Sequence, residues 1–145
     1  MNSTNHETAA VERRPVGTQT TIAEVMTASP HTIGREQKLC RAHDFMRQYG
    51  VRHLPVLEGG DLVGVLSQRD LYFNESIVGV DVEMDSVEEA MTREVFTAAP
   101  GESVGSVARS MAQHKYGCAV VVDRGHIVGI FTATDALALL ATILS

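Results

Sequence analysis

The chain has 145 residues, of which 44% are hydrophobic and 21% charged, the balance of an ordinary water-soluble domain. Its net charge of −6, split as −1 over residues 1–75 and −5 over 76–145, speaks against a nucleic-acid partner and makes any anionic ligand depend on local cations and helix ends. No run approaches the roughly 20 apolar residues that cross a bilayer, and Cys40 and Cys118 have neither CxxC spacing nor a secretion signal, so the expectation is a cytoplasmic protein with reduced thiols and no membrane partner.

Residues 1–15 are polar and read as a disordered tail. A first unit, residues 16–75, opens with Thr20-Thr21-Ile22-Ala23-Glu24-Val25-Met26, a hydroxyl cap followed by a short helical turn. An extended piece follows at His31-Thr32-Ile33. Next comes a helix with the apolar stripe Leu39, Ala42, Met46 and Tyr49. Val51–Leu57 and Leu62–Leu66 read as strands covered on both faces, joined by Glu58-Gly59-Gly60-Asp61 with glycine where the turn needs a positive φ. A closing helix begins near Asp70. Residues 76–86 form an acidic linker carrying Asp81, Glu83 and Asp85.

The second unit, residues 87–145, runs in the same order. Val87–Met91 makes the turn behind Ser86, Phe96-Thr97-Ala98 is extended, and Val104, Val107, Ala108 and Met111 form the helical stripe. Cys118–Val122 and Ile127–Phe131 flank the turn Asp123-Arg124-Gly125-His126. The closing helix starts near Asp135, and its apolar stretch Ala136–Leu144 is expected to be buried between units or at a dimer interface.

A shift of 65 positions lays one unit on the other without a gap, and 11 of the 49 pairs from Ile22/Val87 to Asp70/Asp135 are identical. Chance would give roughly one match in sixteen, about three in all. The identities include Met26/Met91, Thr27/Thr92, Gly64/Gly129 and Asp70/Asp135. The fold class is α/β (α+β): two tandem β-α-β-β-α units, each near the lower size limit for its own core, packed with pseudo-two-fold symmetry and presenting two related sites.

Each unit ends a strand in Val-Gly-x-x-Ser/Thr-x-x-Asp, with Ser67 and Asp70 in one copy and Thr132 and Asp135 in the other. Ser/Thr-x-x-Asp is a helix capping box, in which the two side chains satisfy exposed backbone N–H groups. It is also a ready phosphate site, because free N–H groups and the positive helix end stand beside a hydroxyl. A neighbouring Asp can accept both hydroxyls of a ribose. The two roles are compatible.

With Met26-Thr27 and Met91-Thr92, the strand His53-Leu54-Pro55-Val56 and the two Val-Gly endings, residues 20–140 resemble a pair of cystathionine-β-synthase (CBS) domains. The resemblance implies clefts between units that bind adenosine compounds such as AMP, ADP, ATP or S-adenosylmethionine as regulatory ligands, with no cofactor required, and a homodimer. It maps the ribose carboxylate onto Asp70 and Asp135, and the phosphate-side hydroxyl onto Ser67 and Thr132. The base-side wall maps onto Thr32, His53 and Pro55, and onto Thr97, Cys118 and Ala119. Cys118-Ala119-Val120-Val121 departs from the His-Leu-Pro-Val pattern, so the second base pocket is expected to differ. Arg69 offers a guanidinium to a phosphate, where the second tetrad has Thr134.

Six histidines lack metal-ligand spacing, and no nucleophile motif or phosphate-binding loop occurs, so neither a metal site nor an enzyme is expected. The function implied is a stand-alone regulatory module that senses adenine nucleotides, as an energy sensor would, and signals to a regulated protein whose identity the sequence leaves open. The alternative is a ligand-independent interaction scaffold of the same fold.

Overall fold

Two β-sheets form, one around each repeat hairpin, and the second is completed by a strand from the opposite repeat. In the computed structural model residues 15–145 are described; the tail expected over 1–15 lies, Pro15 apart, outside them. The first sheet has the order β2 (Ile33–Gly34), β3 (His53–Glu58), β4 (Asp61–Ser67). The second has the order β1 (Thr27–Ala28), β7 (His126–Thr132), β6 (Cys118–Asp123), β5 (Thr97–Ala98). Within each repeat the short strand runs parallel to the first hairpin strand, and the hairpin is antiparallel. The helices are α1 (Ile22–Val25), α2 (Leu39–Tyr49), α3 (Gln68–Glu75), α4 (Val87–Ala90), α5 (Val104–His114) and α6 (Ala133–Leu144).

Strand β1 belongs to the first repeat yet pairs antiparallel with β7 of the second, Thr27 opposite Ile130. Its repeat mate Thr92 bridges to Val65 of β4, and the two residues exchange backbone hydrogen bonds of 2.9 Å. The helical turns follow the strands across. Ile22 N donates to Glu102 O at 2.8 Å, and the mate Val87 N donates to Gln37 O at 2.8 Å. Ile22 joins the core with Val107, Met111, Val121 and Phe131, while Val87 and Met91 join the core with Leu39, Met46, Val56 and Leu66. Each unit thus takes its lead-in from the other.

This exchange accounts for two identical pairs in the repeat. A Cβ on Gly64 would lie 2.6 Å from Met91 Sδ and 2.9 Å from the Thr92 carbonyl, and one on Gly129 would collide with Met26. Glycine on one repeat admits methionine from the other.

The helical stripes are buried at Leu39, Ala42 and Met46 on α2 and at Val104, Val107 and Met111 on α5, with Ala108 half-buried. Tyr49 at the end of α2 is instead exposed and stacks on His31 rather than joining the core. The turns are tighter than one glycine implies. Gly59 and Gly60 both have positive φ (57° and 93°), and so do Arg124 and Gly125 (54° and 80°), the signature of a type I′ hairpin.

Two further expectations change. The hydroxyl cap ahead of α1 is not made: the Thr21 side chain bonds no N–H of the turn, and the Thr20 hydroxyl instead accepts from Gly17 N at 2.9 Å. The backbone carries the start of α1, through the Ile22 N bond to Glu102 O described above. The C-terminal helix is not buried between units. Nothing on α6 is fully buried, and only Ala136 and Leu139 touch the core, while Leu137 and Leu144 are 65% and 75% exposed.

Candidate functional site

Each hairpin ends where its two strands hold the next helix. His53 pairs with Ser67 across β3 and β4, and Cys118 pairs with Thr132 across β6 and β7. One residue earlier, Arg52 O accepts from Gln68 N at 2.9 Å, and Gly117 O accepts from Ala133 N at 3.0 Å. These bonds place the starts of α3 and α6 beside the starts of β3 and β6, so both tetrads sit at equivalent junctions.

Both capping boxes are closed. Asp70 N donates to Ser67 Oγ at 3.0 Å, and Ser67 N to Asp70 Oδ2 at 3.0 Å. Asp135 N donates to Thr132 Oγ1 at 3.2 Å, and Thr132 N to Asp135 Oδ2 at 2.9 Å. The first box has one further partner, since Thr92 Oγ1 donates to Asp70 Oδ2 at 3.4 Å. The capping role is therefore realised in both tetrads, and the remaining lone pairs of Asp70 stay available.

A cleft of about 1190 Å³ opens between the two junctions. Of the residues singled out by the sequence, it brings together His53, Ser67, Arg69, Asp70, Cys118 and Thr134. Thr132 and Asp135 cap α6 beside it without forming its wall. The others stand elsewhere. Pro55 and Ala119 are fully buried in the strands, Thr32 precedes β2, and Thr97 lies exposed on β5.

His53 lies at the seam. Its ring reaches the backbone of the other repeat, so that a Cβ at Gly117 would come within 2.9 Å of His53 Nε2. Burial lowers its pKa from the ordinary imidazole value, assisted by Arg52, while Asp70 and Asp135 pull the other way. Burial first, and then the Asp70 charge, push the Cys118 thiol up to about 12. A protonated thiol is a poor nucleophile, so the cleft floor offers packing and hydrogen bonding rather than covalent chemistry.

Residues that the sequence did not single out also line the walls, among them Arg52, Thr92, Glu94, Lys115 and Tyr116. Thr92 had a visible signal in its identity with Thr27. The charged three are exposed residues in loops, where hydrophobic periodicity carries no information. Tyr116 stacks on Phe96 and on His114, with ring centroids 5.0 Å apart in both cases. Among the described residues no cluster of three or more His, Cys, Asp or Glu could hold a metal ion, and no helix is long and apolar enough to cross a membrane.

The family model described as CBS domain matches residues 22–74 and 87–142. The CBS domain-containing protein YhcV of Bacillus subtilis (strain 168) is 31% identical over 114 residues, which cover 79% of this chain and 81% of that protein. Enzymes also match, but over only 22–24% of their own length. Among solved structures, the CBS domain pair of protein MJ0100 in complex with 5′-methylthioadenosine and S-adenosyl-L-methionine superposes with a TM-score of 0.75 at 26% identity, covering 86% of this chain and 98% of that one. CBSX2 in complex with AMP gives a TM-score of 0.72 at 25% identity, covering 87% and 99%.

Proposed function

This chain belongs to the CBS domain family as a tandem pair, and from that premise we propose that it is a regulatory module binding an adenosine compound in the cleft between its units. The observation that carries the reading is the meeting of hydroxyl, carboxylate and helix start at Ser67 and Asp70, on the wall of a cleft that both repeats line. A vicinal diol would take the free lone pairs of Asp70, and a phosphate would face the N-terminus of α3. Occupancy acts on the protein by favouring one angle between the units, through a difference in affinity for the two shapes. Two copies would pair through the exposed apolar face of α6, where Leu137, Leu140 and Ile143 stand.

The scaffold reading has its own support, since both carboxylates already serve backbone N–H groups. Thermal melting with AMP, ADP, ATP or S-adenosylmethionine separates the two. Ligand at about a hundred times its dissociation constant adds about 2.7 kcal/mol, a shift of several degrees for this length. Asp70→Asn keeps an acceptor for Ser67 N and removes the charge, so it should weaken binding roughly tenfold or more while the protein still melts cooperatively. No shift with any of the four compounds favours the scaffold.

A further inference from the structure

The nucleotide reading leaves open what the ligand carries beyond its ribose, and the cleft walls bear on that question. Arg52, Arg69 and Lys115 all line the cleft, three of the 12 basic residues in a chain of net charge −6. None of the three makes an ion pair or side-chain hydrogen bond among the described residues. They face only two acidic residues there, Asp70 and Glu94, and His53 is held toward its neutral form. Unpaired cations around a cleft in an acidic protein point to an anion as occupant.

Lys115 adds an independent observation. It ends α5 with a left-handed φ of 60°, where its repeat mate Gly50 ends α2 at 65°. Glycine meets that backbone without strain, and lysine does not. A strained residue retained at a cleft is a reason to look for function there. The cations also come from both repeats: Arg52 and Arg69 stand on the first, Lys115 on the second.

Resting on the nucleotide reading, we infer that the cleft clamps the phosphate chain of a phosphorylated adenosine ligand between Arg52 and Arg69 of one unit and Lys115 of the other, and so selects such ligands over sulfonium analogues. S-adenosylmethionine carries a permanent positive charge on the sulfur bonded to its 5′ carbon, the position from which a phosphate chain would otherwise extend toward these cations. A phosphate chain would be held by both units at once, whereas adenosine without phosphate would engage chiefly the Asp70 side. The phosphate tail is then the part of the ligand that sets the angle between units.

Calorimetric titration of adenosine, AMP, ADP, ATP and S-adenosylmethionine into the full chain tests this, in low and high salt and with Lys115→Gly. That substitution copies Gly50, relieves the backbone and removes the charge, so loss of folding does not cloud the result. Affinity should rise with phosphate number, most steeply at low salt, and S-adenosylmethionine should bind no better than adenosine. Lys115→Gly should lower ATP affinity about tenfold relative to adenosine, and Glu94→Gln should raise it. S-adenosylmethionine binding as tightly as ATP, or equal ATP binding by wild type and Lys115→Gly, overturns the phosphate clamp and leaves the nucleotide reading standing. Failure of all five compounds to bind overturns both.

Discussion

At four positions around the cleft the first repeat carries Gly50, Arg52, His53 and Arg69, and the second carries Lys115, Gly117, Cys118 and Thr134. At the lead-in and hairpin the repeats agree instead, with Met26/Met91, Thr27/Thr92, Gly64/Gly129 and Asp70/Asp135. The agreement follows the frame: methionine against glycine across the exchanged strands, and aspartate closing each capping box. The differences gather where both repeats face one space, which makes that space chemically one-sided. A duplicated frame requires two equal halves for packing, whereas a ligand common to both halves does not.

The frame side of this comparison breaks most visibly at the glycines. Gly64→Ala should cost about 1–3 kcal/mol in urea unfolding, as overpacking does. Gly129→Ala should cost a similar amount, but the two should differ on rescue. The nearest atoms to a Cβ at 129 all belong to the Met26 side chain, whereas at 64 the Thr92 carbonyl stands 2.9 Å away. Met26→Ala should therefore recover part of the loss in Gly129→Ala, and Met91→Ala should recover less in Gly64→Ala.

The caps come next. Ser67→Ala and Thr132→Ala should each cost about 1 kcal/mol of the helix they start. Leu71 is fully buried on α3, and α6 has no fully buried residue. Loss of the first cap should thus appear in global urea unfolding, while loss of the second should appear as faster amide exchange along α6. Equal global effects would mean that α6 is held more firmly than its exposure suggests.

A smaller effect is expected at the hairpins. Arg124 occupies the left-handed position that Gly59 fills in the first turn, so Arg124→Gly should stabilise by a few tenths to about 1 kcal/mol, read as a rise in melting temperature.

The seam gives the smallest effect and a sign. Because the His53 pKa is lowered in the folded state, the unfolded chain takes up its proton first as pH falls. Stability should decline below about pH 6.5, the ordinary imidazole value. Melting from pH 7.5 to 5.5 should show a steeper decline in wild type than in His53→Gln, and parallel curves would remove His53 from the pH response.

The repeat offset made the strand and helix order legible, because hydroxyl, glycine and apolar positions recur with it. The exchange of lead-ins was not legible. Met26 could face either Gly64 or Gly129 with the same sequence, and only the three-dimensional pairing of Thr27 with Ile130 decides. The tetrads were readable as caps because capping is local in the chain. Arg52, Lys115 and Glu94 were not readable as neighbours, since exposed loop charges carry no period and meet only once the two junctions face each other. The apolar run of α6 suggested burial, yet the fold leaves most of that surface outside both cores.

The exchanged lead-ins also set an order of events during synthesis. Val87 and Met91 follow soon after the strands they complete, so the first core can close shortly after residue 92 leaves the ribosome. The second core needs Ile22 and β1, which were made about a hundred residues before Phe131 and Thr132. At roughly 5–20 residues per second, the opening segment waits on the order of 5–20 s for its strand partner. The earliest described part of this chain to be translated is therefore among the last to be buried, and a ribosome that stalls within the second hairpin leaves Ile22 exposed to chaperones and proteases.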